Sequence, residues 1–146
     1  MLSPSAGGLV WAFKSVPWAI GLAYSPVFFR VAVQAANKLQ NVEPRKNPVP
    51  DGLASRAHAC HMNQLETLPL YCGGIVAAAF AGVAPSVVAT QASIYIIGRA
   101  LYVLVYLVGE NRLPTKGYLR SAIFGTAVLG NTIMLWTNAA QALASV

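Results

Sequence analysis

The chain has 146 residues, of which 56% are hydrophobic and only 10% charged, and its mean hydropathy is +0.56. A water-soluble domain carries about 25% charged residues, so this chain lacks the charge to clothe a water-facing surface; disorder, a collagen repeat and a disulfide-stapled secreted module are excluded by the hydrophobicity, the absence of a glycine period and the presence of only two cysteines. Ten Lys and Arg against four Asp and Glu give a net charge of +6, and in so apolar a chain that excess marks one side of a bilayer rather than a nucleic-acid surface.

Crossing a bilayer takes about 20 mostly apolar residues, and four stretches meet that requirement. The first, residues 16–36, contains Pro17 near its start, Pro26 as a site for a kink, and Arg30 as its one charge. Only Lys14 is charged before it, and no convincing cleavage site follows a compact apolar core, so this span is expected to be retained. A polar, proline-rich loop over residues 37–56 should run along the membrane surface. The second span, 57–83, is polar in its first half and apolar afterwards. No formal charge occurs between Glu66 and Arg99, but "AGVAPS" at Ala81 to Ser86 is a turn signal that splits this run, placing the third span at 87–109. The fourth, 119–144, is charge-free from Ser121 onward. The expectation is an all-α integral membrane protein, one domain over residues 1–146, built as a bundle of four transmembrane helices.

The cations cluster. Lys38, Arg45, Lys46 and Arg56 lie between spans one and two, Arg112, Lys116 and Arg120 between spans three and four, and the "AGVAPS" turn has none. Both basic connections should therefore face the cytosol or an equivalent compartment such as the mitochondrial matrix, with the termini and the short turn on the other side.

A charge inside a bilayer costs several kcal/mol unless it faces the protein interior, which singles out Arg30, Glu66 and Arg99. At about 100° per residue, Arg56, Asn63 and Glu66 fall within about 80° of one another on the second helix, and Tyr95, Arg99, Tyr102 and Tyr106 within about 60° on the third, with Gln91 at the edge. Two readings of these polar stripes are open. They are interhelical glue, with Glu66 paired to Arg99 or Arg30, or they line a polar pocket for an anionic, hydrogen-bonding ligand beside a lipid-facing groove.

Other candidates carry less. His58 and His61 project about 60° apart, Cys60 points elsewhere and no second ligand cluster exists, so no metal site is expected. Cys60 and Cys72 are separated by a helical rise of about 18 Å, which makes them free thiols. No nucleophilic triad or glycine-rich phosphate loop is present. Asn131, Asn138 and Gln141 read as packing amides on the fourth helix, with Gly125 and Gly130 permitting close approach.

The segment "RAHACHMNQLETLPLY", Arg56 to Tyr71, resembles the second helix of the MAPEG family, the membrane-associated proteins of eicosanoid and glutathione metabolism. The shared pattern is Asn63, Glu66 and Pro69 as Asn-x-x-Glu-x-x-Pro. A second match, Arg99, Tyr102 and Tyr106, follows the family's Arg-x-x-Tyr-x-x-x-Tyr, and "LRSAIFG", Leu119 to Gly125, is similar to its opening of helix four. The resemblance implies a trimer of four-helix protomers with glutathione held between neighbouring subunits near the cytosolic side. It further implies that Arg56, Asn63, Glu66, Arg99, Tyr102 and Tyr106 bind glutathione: guanidiniums for its carboxylates, Glu66 for its ammonium, Asn63 and the phenols for its amides. A thiol with a free pKa near 8.5 needs a nearby cation to ionise at neutral pH, a role open to Arg99, Arg112 or Arg120. Two positions depart from the pattern. Ala59 stands where catalytic members usually place an arginine, and Leu113 where the leukotriene-forming branch has its thiol-activating one.

Three functions follow from the resemblance and its departures. One is a glutathione-dependent transferase or peroxidase acting on lipophilic electrophiles, in the endoplasmic reticulum or a mitochondrial membrane. Another is a non-catalytic MAPEG-like subunit of a larger membrane complex, such as one of the mitochondrial inner membrane. The third is a lipid-binding scaffold that uses the groove without thiol chemistry. The partners expected are membrane lipids and either copies of the chain or other membrane subunits, with no nucleic acid.

Overall fold

A computed structural model describes residues 4–38, 49, 51–108 and 118–145. The described chain is helical: α1 (Pro4–Ala36), α2 (Leu53–Phe80), α3 (Pro85–Val108), α4 (Tyr118–Ile123) and α5 (Asn131–Ala144), with the last two joined through a π-helical stretch, Phe124–Gly130. Right-handed helical dihedrals at Ile123, Gly130 and Asn131 make α4, this stretch and α5 one continuous rod. Four rods therefore form the bundle, the first starting well before the apolar span that the sequence delimits. The Ala81 to Ser86 connection is a tight turn in which Gly82 adopts φ +73°, a left-handed conformation that favours glycine.

The helices approach closely because their inner faces are small. On α1 the buried residues Ala12, Ser15, Ala19, Ala23 and Pro26 recur every three or four positions, so one face of this long helix can seat against both α2 and α3. Pro26 lacks the N–H that would reach Leu22, and the Ser25 hydroxyl donates to the Leu22 carbonyl instead, at 2.9 Å. Between α3 and the π-helical stretch the approach is also close: a Cβ on Gly98 would come within 2.6 Å of the Ala127 Cβ. Gly125 has open space around its Cβ position, and at Gly130 the near neighbour is Gly125 of the same stretch. Close packing against α3 thus falls to Gly98, correcting the expectation for Gly125 and Gly130.

Burial runs opposite to that of a water-soluble bundle. Arg99, Gln64, Gln91 and Asn131 are buried, while Phe28 is 75% and Phe80 84% exposed. Among the described residues two helices, over Gly7–Ala36 and Pro85–Val108, are long and apolar enough to cross a membrane by length and composition.

Candidate functional site

Arg99 is 1% exposed and lies where α2, α3 and the π-helical stretch meet. Its Nη1 donates to the Asn63 side-chain oxygen at 3.2 Å, Nη2 to the Asn63 backbone oxygen at 3.4 Å, and Nε to the Tyr95 hydroxyl at 3.4 Å. The guanidinium carbon also lies 5.5, 5.6 and 5.9 Å from the ring centres of Tyr95, Tyr102 and Phe124. Among the described residues, every one of these partners is neutral. The cation is stabilised by amide and phenol dipoles and by ring faces, which attract it through their quadrupoles.

The aromatic series continues outward. Tyr102 meets Tyr106 edge-on at 5.2 Å, and the Arg120 guanidinium of α4 lies 4.7 Å from the Tyr106 ring centre. Two cations, Arg99 inside and Arg120 nearer the helix end, thus flank one tyrosine pair. Inward, Tyr95 stacks on Tyr71 at 3.7 Å with the rings 3° apart, and the Tyr71 and Ser15 hydroxyls hydrogen-bond. Because Ser15 spends its one proton on the Ala12 carbonyl, Tyr71 is the donor.

The structure sorts the candidates of the sequence. Asn63, Arg99, Tyr102 and Tyr106 come together, with Arg120 beside them. Arg56 turns to the far end of α3, where Nη2 donates to the Leu107 carbonyl at 3.3 Å, complementing the negative end of that helix. Glu66 is exposed and makes no ion pair among the described residues. Its expected pairing with Arg99 or Arg30 is corrected: Arg99 is taken by Asn63, and Arg30 Nη1 donates to His58 Nδ1 at 3.0 Å. His61 likewise turns to α1, its Nδ1 donating to the Ala23 carbonyl at 2.7 Å, so the two histidines bind helix α1 by separate contacts. Ala59 is exposed on the same outward strip of α2 as Met62 and Glu66. Arg112, together with Arg45, Lys46, Lys116 and Leu113, lies outside the described residues.

Phe124 and the Tyr71–Ser15 pair are the members that reading the sequence for chemistry misses. Tyr95 was visible on the α3 stripe. Phe124 was not, since it is an apolar ring that meets the guanidinium only through its face and carries no polar group to single it out.

The comparison with protein families decides the assignment, because the MAPEG family model matches residues 8–140, nearly the whole chain. The chain belongs to the MAPEG family. Membership, with the apolar outer surface and two helices of spanning length, makes it a MAPEG-like integral membrane protein. Neither the curated proteins nor the solved structures contain a match to it.

Proposed function

We propose that this MAPEG-family chain crosses the bilayer with all four helical rods, assembles as a homotrimer, and binds glutathione for transfer to lipophilic electrophiles or for peroxide reduction. The observation that carries the reading is Arg99, a buried guanidinium whose described partners are all neutral. Burying an unpaired charge is costly, and an anionic ligand would offset that cost while the cation lowers the ligand's thiol pKa.

Arg99 has five N–H groups, of which three are engaged by Asn63 and Tyr95. The remainder, with Arg120 at the outer end of the tyrosine pair, supply positive potential for a thiolate and a carboxylate. Tyr102 and Tyr106 donate hydroxyls to the peptide amides, and Asn63 orients the Arg99 guanidinium from the α2 side. Glu66 faces outward and so reaches the ammonium of a glutathione held against a neighbouring protomer. In the transfer reaction the thiolate sulfur forms a bond to the electrophilic carbon, the leaving group departs with its electron pair, and the thiol proton is released to solvent.

A second reading has its own support. Arg99 is almost wholly enclosed and Ala59 removes a guanidinium from the outward strip of α2, as suits a non-catalytic subunit of a larger membrane complex. Glutathione titration of the purified chain, following thiolate ultraviolet absorbance together with conjugation of a chlorodinitrobenzene, separates the two. The enzyme reading requires a saturable thiolate signal and turnover that both weaken in Arg99→Leu. A chain that gives neither and purifies only with other subunits is the structural protein.

A further inference from the structure

The hydroxyls around Arg99 have a definite direction. Thr67 Oγ1 lies 3.5 and 3.4 Å from the carbonyl oxygens of Asn63 and Gln64, acceptors that claim its single proton. The Tyr95 hydroxyl, 3.5 Å from Thr67 Oγ1, is therefore the donor to it and presents a lone pair to Arg99 Nε at 3.4 Å. Arg99 Nη2 reaches the same Asn63 carbonyl at 3.4 Å, which closes a ring through Arg99, Tyr95, Thr67 and Asn63. Among the described residues Tyr95 alone hydrogen-bonds the guanidinium from its own helix, and the other two bonds run to Asn63 of α2.

Tyr95 is itself braced from behind. Its ring centre lies 3.7 Å from that of Tyr71, with the two planes 3° from parallel. Aromatic pairs prefer an offset or edge-on arrangement, because like quadrupoles repel face to face, so a stack this nearly eclipsed has to be held by something besides the rings. The hydroxyls hold it: Tyr71 donates to Ser15 of α1, and Tyr95 is fixed in the ring with Arg99 and Thr67. Ser15, Tyr71 and Tyr95 are each 1% exposed or less, so solvent does not compete for these bonds. A single line of contacts runs from α1 through α2 to the guanidinium on α3.

We propose that Tyr95 is a positioning residue for Arg99, and that Tyr71 and Ser15 pass to it the seating of α1, a helix that supplies none of the groups assigned to glutathione. The phenol oxygen fixes Nε and so aims the N–H groups of the guanidinium that Asn63 and Tyr95 leave free. Without it every remaining hydrogen bond comes from α2, and the guanidinium turns toward that helix. The consequence for a bound thiol rests on the glutathione reading above; the positioning of Arg99 does not. At an effective dielectric constant of about 20, drawing a cation from about 4 to about 6 Å from a thiolate sulfur removes about tenfold of the stabilisation it gives.

The test has one arm without ligand and one with it. In the purified full chain with nitrogen-15 arginine, in nanodiscs, the Arg99 Nε–H resonance is assigned by its loss in Arg99→Lys. Tyr95→Phe keeps the ring and removes only the hydroxyl, so this resonance should shift and exchange faster with water. Ser15→Ala and Tyr71→Phe, which cut the two ends of one bond, should each move it the same way, and the double variant should match either single one. An Arg99 resonance indifferent to Tyr95→Phe would overturn the positioning, and one indifferent to Ser15→Ala would overturn the brace from α1. Ser15→Ala changes a small side chain outside the stack, so it decides the matter even if Tyr95→Phe does not fold. In the second arm, thiolate absorbance is followed against pH at saturating glutathione. Tyr95→Phe should raise the midpoint by about one unit, a tenfold loss of thiolate below it, with glutathione affinity little changed. An unshifted midpoint with binding intact would overturn the role in thiol activation. Absence of a thiolate signal in the unmutated chain would reject the glutathione reading instead, and the first arm would still decide what holds Arg99.

Discussion

Arg99 of α3 clasps both oxygens of Asn63 on α2, the side-chain carbonyl at 3.2 Å and the backbone carbonyl at 3.4 Å. A single guanidinium thereby fixes the relative height of two helices and holds a positive charge among neutral groups. In Asn63→Leu the side-chain acceptor is lost while the backbone one remains, so unfolding in mixed micelles should become easier by about 1.5 to 3 kcal/mol, the range for a hydrogen bond to a charged group. Asn63→Asp places a carboxylate against the same cation. It should restore stability relative to Asn63→Leu yet weaken glutathione binding, because an internal anion then competes with the ligand. Asp and Leu variants with equal stability would show that Arg99 does not use this side chain.

Gly98 makes a prediction about packing. With Ala127 Cβ only 2.6 Å from where its own Cβ would stand, Gly98→Ala must push α3 from the π-helical stretch and should cost about 1 to 3 kcal/mol. Ala127→Gly in the same chain makes room and should recover part of that loss. Additive effects in thermal unfolding of the two variants and their combination would argue against direct contact.

How much of this was legible beforehand depends on what each signal measures. Helical spacing finds the α3 face directly, since Tyr95, Arg99 and Tyr102 are all buried by the bundle and recur at three and four residues. The α2 stripe is harder. Its spread of about 80° straddles the edge of the interhelical contact, so Asn63 turns to Arg99, Arg56 turns to the end of α3 and Glu66 turns outward. Angle along one helix does not say where its neighbour's surface ends. Phe124 was hidden for a different reason: it is an apolar ring that joins the site only through its face, 5.9 Å from the Arg99 guanidinium. Family motifs located Asn63 and Arg99 without revealing that they bind each other.

Glu66 now predicts differently from a buried, paired acid. Exposed on the isolated protomer, it contributes little to that protomer's own fold, and Glu66→Leu should change unfolding of dispersed monomers by no more than about 0.5 kcal/mol. Facing a bilayer, however, a bare carboxylate is expensive, so a neighbouring chain should cover it. Glu66→Cys is therefore expected to give cross-links between copies in membranes. A monomer destabilised by several kcal/mol in Glu66→Leu would instead place the carboxylate in the protomer's interior.

Topology gives a separate test. Seven of ten cations fall in the first and third connections or in the opening turns of α2 and α4 that follow them, so these should lie on one side of the membrane and the Ala81 to Ser86 turn on the other. In a Cys72→Ser background, Lys38→Cys and Ala84→Cys are both at exposed positions. An impermeant maleimide added to sealed, oriented vesicles should label one and spare the other. Labelling of both from the same side would mean that α2 does not cross.

Ala59 offers the sharpest test between enzyme and subunit. Its methyl is exposed, on the outward strip of α2 with Met62 and Glu66, so Ala59→Arg adds a long side chain without displacing any part of the core. If glutathione binds at the edge of this strip, the new guanidinium meets one of its carboxylates. A charge-assisted hydrogen bond of about 1.5 to 3 kcal/mol would then tighten binding by about tenfold or more. If the strip is covered by other membrane subunits and no anion is present, the same cation is forced into an apolar contact and assembly should fail. Glutathione affinity and oligomer integrity, measured side by side for the unmutated chain and Ala59→Arg, separate these outcomes. Tighter binding with the oligomer intact supports the enzyme, whereas no binding by the unmutated chain together with a broken assembly in the variant supports the subunit.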